Sequence, residues 1–141
     1  MIKVYLSHHI RGPEGENSTP ASREANKQAA RFMAMLLRKM YPELDIYVPA
    51  EHDQVVEYLY TKGYVNARQI IEADCVIISD CKFVIVYNQY SKVSEGMHIE
   101  IDHCMYSQIP FIVVNGDGLD EKANDDIRGL ISFFEKESKD E

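Results

Sequence analysis

The run Phe83-Val84-Ile85-Val86-Tyr87 carries five apolar or aromatic side chains with no polar residue between them. A strand with one wet face alternates polar and apolar residues, so an unbroken run predicts a strand covered on both faces. Pro110-Phe111-Ile112-Val113-Val114 repeats the pattern, and shorter β-prone runs lie at residues 4–6 and 44–48. Helical periodicity fills the intervals between them. One helix is expected from a cap at Ser22, with an apolar face of Ala25, Ala29, Phe32, Met33, Leu36, Leu37 and Met40, stopped by Pro42. Others are expected over residues 53–60, 66–79, 96–107 and 124–134, with a charged tail at 135–141 that frays. Strands alternating with helices predict a parallel sheet with right-handed crossovers, in one α/β domain over residues 1–134. Ligands of such sheets bind beyond the carboxyl ends of the strands, which makes the loops after Leu6, Val48, Tyr87 and Val114 the expected site walls.

Composition narrows the partners. The 141 residues hold 15 Lys+Arg against 23 Asp+Glu, a formal charge of -8. A nucleic acid polymer or an anionic membrane needs a basic footprint that this balance lacks. A small anionic ligand needs only local donors and stays open. Cys75, Cys81 and Cys104 form neither an even disulfide framework nor a paired zinc spacing, which predicts buried thiols in a reducing compartment. The N-terminal apolar run is too short for a signal h-region, and no stretch reaches the length of a membrane span. The expected location is cytoplasmic.

Two acids stand in the wrong place. Ile70, Ile71, Ile77, Ile78 and Cys81 make a helical stripe whose central position is Asp74. Met97, Ile101, Cys104 and Met105 make another, and Glu100 lies on or beside it. An ionised carboxylate on a core-facing stripe is expensive unless it is paired, hydrogen-bonded or protonated. Two such acids flanking the buried run at 83–87 suggest a pocket in which one attacks or stabilises a cation and the other moves a proton.

The segment Ser94-Glu95-Gly96-Met97-His98-Ile99-Glu100-Ile101-Asp102-His103-Cys104 resembles the motif of nucleoside 2-deoxyribosyltransferases and of their 2'-deoxynucleoside 5'-monophosphate N-hydrolase relatives. In that motif a glycine is followed after three residues by a nucleophilic glutamate, an aliphatic residue, two more, and a small residue. Gly96, Glu100, Ile101 and Cys104 fill these places. Tyr5-Leu6-Ser7-His8-His9-Ile10-Arg11-Gly12 resembles the hydrolases' first strand and Ser-Ile-Arg-Gly substrate loop, with His9 in place of the serine. Glu51-His52 is similar to an acid–histidine pair of some hydrolases, and Asp74 to the family's helix-borne aspartate. Lys82 departs from the pattern, since the family usually has an aspartate just before the strand that follows.

The resemblance implies a Rossmann-like (flavodoxin-like) three-layer sandwich with a parallel sheet of four to five strands. It implies Glu100 as a nucleophile on C1' of a deoxyribose and Asp74 as the acid that orients or protonates the leaving base. Tyr5, His9, Ile10, Arg11, Gly12, Ser94 and Gly96 are the implied substrate-binding residues, with Ser94 and Arg11 at a 5'-phosphate. It implies a homo-oligomer, dimer or higher, sharing site residues, and a deoxynucleotide or deoxynucleoside as substrate. Base exchange between nucleosides, or a nucleotide-binding module without turnover, are the alternatives on the same fold.

The remaining polar residues read plainly. Glu100 with His103 is half of a di-metal carboxylate site with no second half in the chain, so neither metal nor other cofactor is expected. His98 with Asp102 reads as a solvated face. His8 and His9 follow the first strand, where a loop reaches ligand or solvent, and Asn115 and Asp117 follow the last.

Overall fold

A computed structural model describes residues 1–90 and 92–140. Four strands, β1 (Ile2–His8), β2 (Leu44–Tyr47), β3 (Phe83–Asn88) and β4 (Phe111–Asn115), form one parallel sheet in the order β2-β1-β3-β4. Five α-helices connect them: α1 (Pro20–Met40), α2 (Asp53–Thr61), α3 (Ala67–Ser79), α4 (Glu95–Ser107) and α5 (Glu121–Lys139). The register sets Tyr5 beside Tyr47 and Val84, Ser7 beside Val86, and Asn88 beside Asn115. The chain leaves β1 on one side for β2 and returns on the other for β3. The strand order therefore reverses at β1, and a crevice opens between the carboxyl ends of β1 and β3.

Side-chain parity divides the core into two layers. Val4, Leu6, Phe83, Ile85, Ile112 and Val114 point to one face, where Ala30, Met33, Ala34 and Leu37 of α1 and Ala123, Ile127 and Ile131 of α5 cover them. Tyr5, Val84 and Val86 point to the other, against Ile78 of α3 and Met97 and Cys104 of α4. The result is the Rossmann-like three-layer sandwich, with four strands. None of the helices among the described residues is long and apolar enough to cross a membrane.

Three local expectations are corrected. Thr19, not Ser22, caps α1: its hydroxyl accepts from the Ser22 N–H at 3.0 Å, while Ser22 Oγ accepts from the Thr19 N–H at 2.9 Å. Pro20 at the first helical position has no N–H to lose, which lets the helix begin two residues before Ser22. The buried face of α1 is rotated accordingly. Asn26, Ala30, Met33, Ala34 and Leu37 point inward, whereas Ala25, Phe32 and Met40 are exposed. On α4, Met105 also faces solvent. Finally, the 135–139 segment is helical and continues α5, because Ile131 and Phe134 still pack on the sheet and Lys136 and Lys139 complement the helix carboxyl end. Glu141 and Ser91 lie outside the described residues.

Replacement of Thr19 by alanine should lower stability by about 1 kcal/mol, read as a shift in the chemical denaturation midpoint. Ser22→Ala, which leaves the Thr19 cap in place, should shift it less.

Candidate active site

Glu100 sits in the second turn of α4 and is only 6% exposed. Burial of a carboxylate requires donors, and β1 supplies two. The Tyr5 hydroxyl donates to Oε2 at 2.5 Å, and the Ser7 hydroxyl donates to Oε1 at 2.8 Å. Residues two apart on a strand share a face, so one strand presents both donors to one acid. Tyr5 and Ser7 are themselves fully buried. Burial pushes the Glu100 carboxyl up to about 7; the two hydroxyls pull against it, and the nearby charge of Asp74 adds to the rise.

Asp74 approaches the same space from α3 and is half-buried. Burial raises its carboxyl to about 6, and the Tyr5 hydroxyl opposes that rise. A phenol has a single proton. Tyr5 gives it to Glu100, so its hold on Asp74 is the weaker one. Burial first, and then the fields of Glu100 and Asp74, keep the Tyr5 hydroxyl protonated far into the alkaline range. The two acids thus flank one phenol and titrate as a coupled pair near neutrality. Between those values the shared proton favours Glu100, and the reactive form is the less populated one, in which Glu100 is ionised to attack or stabilise a cationic carbon and Asp74 holds the proton to deliver.

Behind Tyr5 lies an aromatic stack. The Tyr47 ring packs on Tyr5 at 5.8 Å and 17°, and the His52 imidazole lies parallel on Tyr47 at 4.6 Å. The expected Glu51–His52 pair is split by this arrangement, since Arg38 grips both Glu51 oxygens at 2.7 and 2.8 Å. A groove of about 360 Å³ runs beside β2 along Tyr47, His52, Ile77 and Asp80. It does not reach Asp74 or Glu100.

The remaining expected residues gather at the carboxyl end of the sheet. Ser94 caps α4, its Oγ accepting from the Met97 N–H at 3.2 Å, and the hydroxyl proton remains free to donate. Gly96 lies against α3, where a Cβ would meet Ile71 at 3.4 Å. Gly12 is buried with φ +72°, and a Cβ there would come within 3.1 Å of Asn26 Nδ2 and the Tyr90 ring. Asn26 fixes this loop by donating to the Ile10 carbonyl at 2.9 Å and accepting from the Tyr90 hydroxyl at 2.5 Å. Arg11 donates one bond, to the Tyr60 hydroxyl at 3.3 Å. The Ile10 side chain is 42% exposed and makes no polar contact with the acids.

The two loop histidines divide. His8 Nδ1–H donates to the His9 carbonyl at 3.0 Å and its Nε2 accepts from the Ala50 N–H at 3.2 Å. Burial lowers it to about 4, so His8 is a neutral brace between strand and turn. His9 lies against Asn88 and Tyr90 at the crevice. His98, Asp102, Asn115 and Asp117 are exposed, and His103 meets Ser79 Oγ at 2.8 Å. Lys82 is exposed at the amino end of β3, over the Phe134 ring, at the opposite end of the strand from the crevice. Its departure from the expected acid therefore leaves Glu100 untouched.

Sequence reasoning missed Ser7, Asn26, Asn88 and Tyr90. Ser7 reads from sequence as the start of the loop after residues 4–6, and its strand parity with Tyr5 emerges only because β1 continues to His8. Asn26 carried a weak signal, as a polar residue on the inward face of α1.

Comparison with protein-family models and with curated proteins finds no match. Among solved structures, the chain is similar to a conserved protein from Enterococcus faecalis V583, with a TM-score of 0.58 and 17% identity over 81% of this chain. The chain spans 63% of the length of that protein. The likeness supports the α/β fold.

Glu100 binds its proton more tightly in the folded chain than its ordinary value of 4.5 allows in the unfolded one. The folded state therefore gains stability as pH falls through about 7 toward that value, and loses it as pH rises again. Glu100→Gln should flatten this dependence, and the gain of wild type over Glu100→Gln from about pH 8 to about pH 5 should be on the order of 2–3 kcal/mol. Denaturation midpoints measured across that range test it.

Proposed function

We propose that the chain cleaves the N-glycosidic bond of 2'-deoxynucleoside 5'-monophosphates through Glu100. The observation that carries this reading is a buried glutamate held by two hydroxyls beside a second acid of raised proton affinity. A Glu100 oxygen forms an ester bond to C1' as the C1'–N bond breaks, and Asp74 gives its proton to the departing base. Water then attacks C1', returns a proton to Asp74 and frees Glu100 as a carboxylate. The transition state at C1' is oxocarbenium-like, so a fixed anion beneath the ring lowers its energy. Tyr5 and Ser7 hold that anion in place. The 5'-phosphate would take the Ser94 hydroxyl, the first N–H groups of α4 and Arg11, where the helix dipole favours an anion.

Base exchange between deoxynucleosides is the second reading. The Tyr5–Tyr47–His52 stack favours it, because the outer face of His52 at its end offers an aromatic surface for an incoming base. A homo-oligomer that shares site residues belongs to the same proposal. It is supported by Ile99, Met105 and Tyr106 of α4 and Val76 of α3, which stand exposed on the helix layer that carries both acids. A reducing cytoplasmic setting fits Cys75, Cys81 and Cys104, all free thiols.

Chromatography of purified protein with each deoxynucleoside monophosphate should show free base. Glu100→Ala should lower that release at least about a thousandfold with circular dichroism unchanged, and Asp74→Asn should lower it by about 10²–10⁴. The rate should follow a bell with its maximum between about 6 and about 7. It falls on the acid side as Glu100 is protonated, and on the alkaline side as Asp74 loses its proton. Release of no base from any deoxynucleotide or deoxynucleoside would sink the reading.

A further inference from the structure

His9 is 1% exposed, and its Nδ1 has no hydrogen-bond partner. Its Nε2 lies 3.2 Å from Asn88 Oδ1, which can only accept, so Nε2 carries the hydrogen and Nδ1 presents a bare lone pair. Tyr90 covers the ring edge-on at 4.9 Å. A buried nitrogen without a partner is costly, and its place in the fold says what it waits for. His9 directly follows the last residue of β1, and its ring meets Asn88, the last residue of β3, so it stands beyond the Ser7–Glu100 contact at the carboxyl end of the sheet. α4 joins β3 to β4 and runs opposite to the strands, so from Glu100 back to Ser94 it climbs about 9 Å toward the same end. His9 and the first turn of α4 thereby both stand at the end of the sheet where β1 and β3 finish.

We propose that His9 makes phosphate binding proton-coupled: a phosphate monoester at the amino end of α4 is received with one proton from solvent, shared between His9 Nδ1 and a phosphate oxygen. The inference rests on the reading of the site as one for a 5'-monophosphate. Above about pH 6 such a group is largely a dianion, and a bare lone pair would oppose it. A single proton placed between them turns that opposition into a charge-assisted hydrogen bond. The titratable groups shown against His9 are His8, whose Nδ1–H donates to the His9 carbonyl, and Tyr90, whose ring meets the imidazole edge-on. Neither holds a proton on His9 in the free protein, where burial lowers its basicity against the pull of Asn88 alone. The ligand must supply the missing negative charge.

Calorimetric titration in buffers of different ionisation enthalpy counts the protons taken up. The Glu100→Gln protein serves as background, because it neither turns over nor titrates at Glu100. A deoxynucleoside 5'-monophosphate should take up about one proton more than the same deoxynucleoside at about pH 8, with affinity falling about tenfold per pH unit above that. Any proton moved at Asp74 is common to both ligands and cancels. Adding His9→Phe should abolish the difference. His9→Gln, which donates an amide hydrogen without titrating, should bind the monophosphate with no extra proton. Equal proton counts for the two ligands, a difference that survives in His9→Gln, or no monophosphate binding at all would overturn the proposal. Base release by the wild-type protein is scored separately. Coupled binding without cleavage overturns only the glycosidase reading; cleavage without coupling overturns only the role of His9.

Discussion

A carboxylate buried against a β-sheet sets the terms for everything around it. Glu100 can be there only because Tyr5 and Ser7 meet its two oxygens from a single strand. That requirement fixes the parity of β1, which must turn residues 5 and 7 toward α3 and α4 while Val4 and Leu6 face α1 and α5. It fixes the rotation of α4 as well, with Met97 and Cys104 packed one turn to either side of the acid. Asp74 then enters from α3 at a position where its charge is felt by both Tyr5 and Glu100. A shift of β1 by one residue would bury the acid against Leu6 and leave it without a donor.

The opposite face of the sheet makes this placement durable. Leu37, Ala34, Ile127 and Ile131 pack on the strands with almost no exposure, and among the described residues their layer contains Asn26 as its one buried polar helix residue. Asn26 is tied to the Ile10 carbonyl and the Tyr90 hydroxyl, so the α1 core also holds the loop that lines the crevice. His8 is locked between the His9 carbonyl and the Ala50 N–H in the same way. The rigid layer and the crevice are therefore joined through named hydrogen bonds. Gly12 takes a left-handed φ of +72° where a Cβ would crowd Asn26 and the Tyr90 ring at 3.1 Å.

What was legible in the sequence follows from what kind of signal each feature leaves. The unbroken run at 83–87 announced a strand covered on two sides, and β3 is that strand. Asp74 and Glu100 announced themselves as acids on apolar stripes, because a misplaced charge breaks a periodic pattern. Ser7 broke no pattern: a small hydroxyl at a strand end reads as the start of a loop, although β1 continues to His8. Asn26, Asn88 and Tyr90 are held by partners 16 to 79 residues away, and no local window contains such pairs. The end of α5 was misjudged for a related reason. Its last turns are charged, but packing of Ile131 and Phe134 carries the helix through them. The start of α1 turned on one residue, since Pro20 permits a cap at Thr19 that Ser22 alone would have supplied later.

The choice of hydroxyls rather than cations around Glu100 is itself informative. A lysine or arginine in place of Tyr5 or Ser7 would bury the acid as an ion pair and hold its proton affinity low. Such a carboxylate is stable but weakly basic, and its reactivity falls with its basicity. Two hydroxyl donors only partly offset burial, which leaves Glu100 near 7 and Asp74 near 6. Arg38 shows what the alternative does: it clamps Glu51 with two charge-assisted bonds and draws that carboxyl below its ordinary value. The same fold thus keeps one glutamate fixed and inert at the β2 edge and another poised near neutrality. The difference lies in their donors. A chain with a charge of -8 has cations enough to neutralise a buried acid, and it places them elsewhere.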